Sequence, residues 1–270
     1  MRVPFVKMHG LGNDFVVLDG RTESLPLIDA PLAAALANRH TGIGCDQLVV
    51  LSPSEAADFH MRFYNNDGSE SGACGNATRA IGLLHGRPAR IETVGGILST
   101  TPTADGISVD MGQPRLDWDA IPLAYPLDTH TLPVGWEDLT APTTVNVGNP
   151  HVIFFVADTD AVDLARLGPI IEHDPLFPAR VNVNVATITS RSAIRLRVWE
   201  RGTGLTLACG TGACATAIGA MRRGLTDRRV TVTLPGGSLV ITWGADNRIT
   251  MTGPATESFR GTFDLAQYRP

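Results

Sequence analysis

The chain has 270 residues, is 43% apolar and carries a formal net charge of −5, which leaves ample material for two hydrophobic cores and no sign of disorder. With a sequence pI of about 5.8, a nucleic-acid partner would need a basic patch; the densest basic spot, Arg222, Arg223, Arg228 and Arg229, is broken by Asp227 and reads as solvated surface. Uninterrupted aliphatic–aromatic runs such as Val152 to Ala157 are far short of the ~20 residues of a membrane span.

The start, MRVPFVKMHGLGNDF, interrupts its apolar residues with Lys7, His9, Asn13 and Asp14, unlike a secretory leader. A cytoplasmic setting, where thiols stay reduced, is therefore expected. Along the chain, Asp29 precedes a helical pattern over 31–40, with Pro31 suited to its first turn. A second helix is predicted over 76–86, ending at Gly86. ETVGGILST (92–100) places Gly-Gly between two short strands and reads as a hairpin, and 107–111 supplies a further strand. The proline-rich stretch 113–142 is the expected crossing between two domains, with the boundary near 118. Helix follows over 161–173, then a period-two strand in which Ile194, Leu196 and Val198 alternate with Arg195, Arg197 and Trp199. A helix over 212–224, a second Gly-Gly hairpin (233–241) and a strand over 248–252 complete the second half. Segment 257–270 is expected to return to the first domain, giving domains 1–118 with 257–270, and 119–256.

The two halves are related. MRFYNNDGSESGACG (61–75) lies over LRVWERGTGLTLACG (196–210) without a gap, bringing Arg62 onto Arg197, Tyr64 onto Trp199, Ala73 onto Ala208 and Cys74 onto Cys209. The offset, 209 − 74 = 135 residues, is the size of a domain and too long for a solenoid repeat. GNDFVVLD (12–19) resembles GNPHVIFFVAD (148–158), setting Asn13 over Asn149, and Gln47 falls over Asn182. Asn65 and Asn66 hold the places of Glu200 and Arg201, so the loops were kept while their charge diverged, as an asymmetric ligand would require.

Each of Cys74 and Cys209 directly precedes a glycine and a predicted helix start, where unpaired N–H groups and the dipole favour an anion. That setting is expected to lower a thiol pKa and to hold a carboxylate. Gly75 and Gly210 let the backbone approach a ligand closely. Two such thiols on opposite sides of one amino acid could remove a Cα proton on one face and deliver one on the other, with charge on the carboxylate met by preorganised donors. The four cysteines form no C-x-x-C pair and no histidine stands near Cys209 and Cys214 in sequence, so neither a disulfide scaffold nor a metal site is expected.

KMHGLGNDF, GCDQLVV, YNNDGSE, ACGNATR, GNPH, RVN, WERG and ACGTGAC occur in this order over almost the whole chain, and together they resemble the diaminopimelate epimerases. The resemblance implies an α+β fold of two pseudo-symmetric domains, each a mostly antiparallel or mixed sheet wrapped round a central helix, with the active site in the cleft between them. It implies interconversion of LL- and meso-2,6-diaminoheptanedioate, in lysine and peptidoglycan synthesis, with no cofactor and no metal, by a homodimer that binds only a small-molecule substrate. Cys74 and Cys209 would be the proton-transfer thiols. Gly75, Asn76, Gly210 and Thr211 would hold the reacting carboxylate, and Asn13 and Gln47 would add substrate contacts. Asn65, Asn149, Asn182 and Arg201 would read the distal end, where the planar fork of Arg201 suits a carboxylate. Glu200 would touch substrate and, with His151, tune the thiols. Leu205 and Ala80 depart from the commoner family pattern, which has Glu and Cys there. The competing readings are a proline racemase or hydroxyproline epimerase of the same fold, whose first motif is CGHG-like, and a non-enzymatic thiol redox protein. A phenazine-type isomerase of this fold lacks the pair of cysteines.

Overall fold

The computed structural model describes residues 1–71 and 74–268; Ala73, and the last two residues of the expected return segment 257–270, lie outside the described residues. Two compact units result, Met1–Val109 with Gly253–Pro270, and Asp110–Thr252. The first crossover therefore precedes residue 118. The proline-rich stretch already belongs to the second unit, because Arg115 and Asn146 exchange backbone hydrogen bonds of 2.8 and 3.0 Å and the Asn146 amide donates to Ala120 O at 2.6 Å.

In chain order the first unit contributes β1 (Arg2–Gly10), β2 (Asn13–Asp19), α1 (Ala30–Ala37), β3 (Gln47–Ser52), β4 (Phe59–Asn65), β5 (Glu70–Ser71), α2 (Gly75–His85), β6 (Ala89–Thr93), β7 (Gly96–Thr103) and β8 (Gly106–Asp110). A small hairpin of β9 (Gly135–Trp136) and β10 (Leu139–Thr140) opens the second unit. There follow β11 (Thr143–Asn146), β12 (Pro150–Phe155), α3 (Leu164–Glu172), β13 (Asn182–Ser190), β14 (Ala193–Glu200) and β15 (Gly204–Thr206). Helix α4 (Gly210–Arg222), β16 (Arg229–Leu234), β17 (Gly237–Trp243) and β18 (Ile249–Gly253) complete it. The chain then returns as β19 (Thr256–Asp264), antiparallel to β1.

The repeat read in the sequence is a repeat of strand pairing. In the first unit β1–β2 is antiparallel, β2–β3 parallel, β3–β4 and β4–β5 antiparallel, β4–β6 parallel and β6–β7 antiparallel. The second unit repeats that series from β11 to β17. The sheets are thus mixed, and the Gly-Gly hairpins fall where the turn chemistry put them.

Period-two alternation distributes each strand between two helices. In β2, Val16 and Leu18 face α1 with Leu32, Leu36 and Leu48, while Phe15 and Val17 face α2 with Ala77, Ala80 and Ile81. In the second unit Val152, Phe154, Val183 and Val185 pack on Leu164, Leu167 and Ile171 of α3. That leaves His151, Ile153, Asn182 and Asn184 on the α4 side. Helix α4 is buried almost throughout, from Gly212 to Ala220, which fits a helix enclosed by its own sheet. Helix α1 starts as expected, with Asp29 Oδ1 accepting from Leu32 N at 3.0 Å. It ends at Ala37, short of residue 40, because Asn38 turns extended at ψ 124°.

Helix α3 meets the sheet at a glycine. A Cβ on Gly168 would lie 2.5 Å from Cγ and Cδ2 of Trp199, so the indole occupies the space that any larger residue needs. Gly168→Ala is expected to cost about 1–3 kcal/mol through overpacking, read as a lower urea midpoint with an unchanged slope; an unchanged midpoint would show that the helix can shift without cost.

Candidate active site

In the first unit Cys74 is the N-cap of α2, with extended backbone, and its Sγ accepts from Ala77 N at 3.5 Å. A cap of this kind satisfies one of the helix's leading N–H groups with sulfur and leaves the thiol at the mouth of the helix. Thr78 Oγ1 donates to Cys74 O at 2.8 Å and closes the first turn. Asn13 reaches the same point from the start of β2. Its Oδ1 stands 3.8 Å from Cys74 Sγ and accepts from Asn76 Nδ2 at 3.3 Å, while its Nδ2 donates to Asp46 Oδ2 at 2.9 Å. A carboxylate can only accept here, so Asp46 determines which end of the Asn13 amide faces the thiol. Asn76 is held in turn by Arg79, whose guanidinium donates to its Oδ1 at 2.8 Å from a fully buried position. Gln47 and Asn65 sit opposite one another on β3 and β4, joined by Gln47 Nε2 to Asn65 Oδ1 at 3.1 Å. Gln47 Oε1 is buried and has no hydrogen-bond partner among the described residues.

The second unit repeats the arrangement with different chemistry. Cys209 caps α4, its Sγ accepting from Gly212 N at 3.3 Å and lying 3.5 Å from Thr211 Oγ1. Gly212 permits this approach: a Cβ there would stand 3.1 Å from Cys209 Sγ and 3.1 Å from Val198 Cγ2. Glu200, at the end of β14, accepts from Thr206 Oγ1 at 2.5 Å and directs its charge at the Cys209 thiol. His151 is wholly buried, with Nδ1 3.2 Å from Asn184 Oδ1 and Nε2 3.0 Å from Asn149 Oδ1. Asn182 donates to Pro150 O and accepts from Arg201 N, both at 2.9 Å, so its amide braces the turn that presents Arg201. The guanidinium of Arg201 is exposed and, among the described residues, donates to Ala179 O at 2.8 Å.

The residues singled out in the sequence thus gather into two clusters. Asn13, Gln47, Asn65, Cys74, Gly75 and Asn76 belong to the first unit, and Asn149, His151, Asn182, Glu200, Arg201, Cys209, Gly210 and Thr211 to the second. Several residues that hold them were not singled out. Asp46 and Arg79 orient Asn13 and Asn76. Glu172, buried at the end of α3, accepts from Trp199 Nε1 at 2.7 Å and from Gly202 N at 2.9 Å, which anchors the Glu200–Arg201 turn from below. Asn184 lies two residues beyond Asn182 in RVNVNVA, and alternation alone puts both on one face of β13; that signal was available.

Electrostatics departs from expectation at Cys209. Burial and the neighbouring Glu200 carboxylate push its pKa well above the ordinary thiol value, outweighing the hydrogen bonds from Thr211 and Gly212 N. The helix start therefore does not lower it. A buried sulfur beside a carboxylate retains its proton, because both effects penalise the thiolate. His151 moves the other way: burial, aided by the charge of Arg201 and opposed by the hydrogen bond to Asn184, lowers it from 6.5 to about 4, so the ring is neutral at pH 7. All four cysteines are thiols. Among the described residues no group of three His, Cys, Asp or Glu is placed to hold a metal ion, and no helix is long and apolar enough to cross a membrane.

This duplicated architecture has solved counterparts. A phenazine biosynthesis protein of the PhzF family from Enterococcus faecalis aligns over 98% of this chain and 100% of its own, with a TM-score of 0.72 at 15% identity. A probable proline racemase from Agrobacterium radiobacter aligns over 97% of this chain and 93% of its own, at 0.68 and 14%. The class is accordingly the two-unit α+β fold that those proteins share. Within it, a family model for diaminopimelate epimerase matches residues 5–116 and 143–257. The diaminopimelate epimerase of Erythrobacter litoralis is 65% identical over 99% of this chain and 100% of its own length. That of Zymomonas mobilis is 53% identical, also over 99% and 100%. The chain belongs to the diaminopimelate epimerase family.

Charged residues behind Asn13 link the first cluster to stability. Burial alone would raise the Asp14 pKa, but hydrogen bonds from Arg39 and Lys7 outweigh it and bring the carboxyl from 3.8 to about 2. A depressed carboxylate stabilises the fold above its unfolded pKa, and that contribution fades as pH falls from about 4 through about 2. Asp14→Asn is expected to cost about 1–2 kcal/mol at pH 7, allowing for the exposure of Arg39. The difference from the unmodified protein should shrink below about pH 4 and be mostly lost near pH 2 in urea denaturation; a gap that persists unchanged to pH 2 would remove the carboxylate as its source.

Proposed function

We propose that the protein is an epimerase that interconverts LL- and meso-diaminopimelate by proton transfer between two thiols. The observation that carries this is repetition: each unit independently builds a cysteine N-cap at the mouth of a buried helix, in equivalent positions of the same series of strand pairings. On this reading the substrate's reacting end lies with its carboxylate against the first-turn N–H groups, at Gly75 and Asn76 and at Gly210 and Thr211. There the helix dipoles and N–H donors meet the negative charge as it develops.

One sulfur, as thiolate, takes the Cα proton, and the electron pair left on carbon delocalises into the carboxylate. The opposite thiol gives its proton to the other face and becomes the thiolate, so the two cysteines exchange protonation states in one turnover, and proton exchange with water resets them for the next. Protons balance without any further reagent. The elevated pKa of Cys209 supports its serving as the donor in one direction. Glu200, directed at that sulfur, raises its basicity, so the thiolate left on Cys209 after donation is a strong base for the reverse direction. The buried and unpartnered Gln47 Oε1 suits an ammonium donor. The open donors of Arg201 suit the distal carboxylate, as a planar fork does. The same reading makes the protein a cytoplasmic homodimer serving lysine and peptidoglycan synthesis, in a compartment that keeps the required thiols reduced.

Incubation of the reduced protein with LL-diaminopimelate in D₂O is expected to yield the meso isomer with solvent deuterium at Cα. Absence of turnover, with exchange into L-proline or 4-hydroxyproline instead, would overturn the substrate assignment. Cys74→Ala and Cys209→Ala should each lower epimerisation by about 10²–10⁴-fold or more; full turnover by either would end the two-thiol scheme. Arg201→Lys should raise KM, since an ammonium cannot replace the fork, and an unchanged KM would detach Arg201 from the distal carboxylate.

A further inference from the structure

The two units differ most sharply beneath their cysteine helices. In the second unit His151, Asn184 and Thr216 form a fully buried polar trio. The corresponding places in the first unit are set by the shared ladder, in which Phe15 pairs with Gln47 as His151 pairs with Asn182. They hold Phe15, Val49 and Ile81, equally buried and wholly apolar. The fold does not need polar groups there, and burying them costs free energy unless each is satisfied.

Asn184 satisfies them in one way only. Its Nδ2 donates to Gly212 O at 3.0 Å and to Thr216 Oγ1 at 2.9 Å. A carbonyl oxygen can only accept, so the amino group must face α4 and Oδ1 must face His151 Nδ1, 3.2 Å away. Reversing the amide would set oxygen against oxygen at Gly212. An oxygen fixed opposite Nδ1 requires a proton on Nδ1, and a neutral imidazole then presents a bare lone pair at Nε2. The Asn149 amide stands with its Oδ1 3.0 Å from Nε2, where a bare lone pair and an oxygen would face each other as two acceptors. The amide meets that lone pair with an N–H only when it is reversed, its NH₂ group turned to the ring, which leaves its Oδ1 facing away as an acceptor.

We propose that Asn184 is a positioning residue that holds the His151 proton on Nδ1 and thereby turns the Asn149 amide so that its Oδ1 accepts from the distal ammonium of the substrate. Asn184 also ties the ring to α4, because the Gly212 whose carbonyl it holds is the residue whose N–H caps Cys209 Sγ. The neutral state of the ring that this requires agrees with the effect of burial on it. The consequence for substrate rests on the epimerase reading, whereas the tautomer does not.

The test uses full-length protein labelled with ¹⁵N-histidine, with the His151 signals assigned by their loss in His151→Phe, the residue of the first unit. At pH 7 the ring should show the protonated Nδ1 and unprotonated Nε2 signature. Asn184→Val with Thr216→Ile copies the first unit's apolar pair and should move the proton to Nε2, where Asn149 Oδ1 is the remaining acceptor, and should raise KM for diaminopimelate about tenfold. Asn184→Asp, whose carboxyl must carry a proton to donate to Gly212 O and then still presents an oxygen to Nδ1, should keep the proton on Nδ1 and keeps the test available should the double variant fail to fold. An Nε2–H or doubly protonated ring in the unmodified protein would overturn the proposal. So would an unchanged tautomer in the double variant, loss of the Nδ1 proton in Asn184→Asp, or a moved proton with unchanged KM. Failure of the unmodified protein to epimerise diaminopimelate would count against the functional reading while leaving the tautomer measurement standing.

Discussion

A helix enclosed by a sheet has restricted access to water, so the N–H groups at its first turn that lack intrahelical partners are met largely by something in the protein or by a ligand. In this chain a cysteine sulfur meets one of them in each unit, and that single constraint organises the site. It holds Sγ at the helix start, 3.5 Å from Ala77 N in one unit and 3.3 Å from Gly212 N in the other. The neighbouring N–H groups remain directed at the same point. Asn13 and Asn76 are arranged around the first of these caps, and Thr211 and Glu200 around the second.

The two caps are built alike and supported differently. Beneath Cys74 the core is apolar, and polar control comes from the side, through Asp46, Asn13, Asn76 and the buried Arg79. Beneath Cys209 the core itself is polar, through His151, Asn184 and Thr216, and a carboxylate is set against the sulfur. Duplication supplied one geometry, and substitution inside that geometry made two electrostatic environments. A substrate that reacts at one of its two ends needs that inequality, and so does a reaction in which one sulfur holds a proton while the other lacks one.

Burial decides the direction of these effects. The helix start favours a thiolate, yet at Cys209 the loss of solvent and the nearby Glu200 charge prevail, because both act at short range in a medium that screens poorly. At Asp14 the same kind of burial is outweighed, since two cations donate hydrogen bonds directly to the carboxylate. The sign of a shift depends on how many direct partners a buried charge has, which is a matter of packing.

Much of this was legible in the sequence. Hydrophobic period, Gly-Gly turns and helix-start signals located the helices and hairpins, because those are local preferences acting over a few residues. The 135-residue repeat marked the duplication and drew attention to both cysteines, since matched loops at a strand–helix junction leave a pattern of Gly, Asn and Cys at constant spacing. Tertiary structure decided what no spacing encodes: where contacts divide the chain, which amide end faces which acceptor, and the direction of the Cys209 shift. Asp46, Arg79, Glu172 and Asn184 act through partners 3 to 33 residues away in sequence. Except for Arg79 and Asn76, a turn apart on one helix, only the packing of one element on another brings those groups together, and only there does burial make the choice of partner matter.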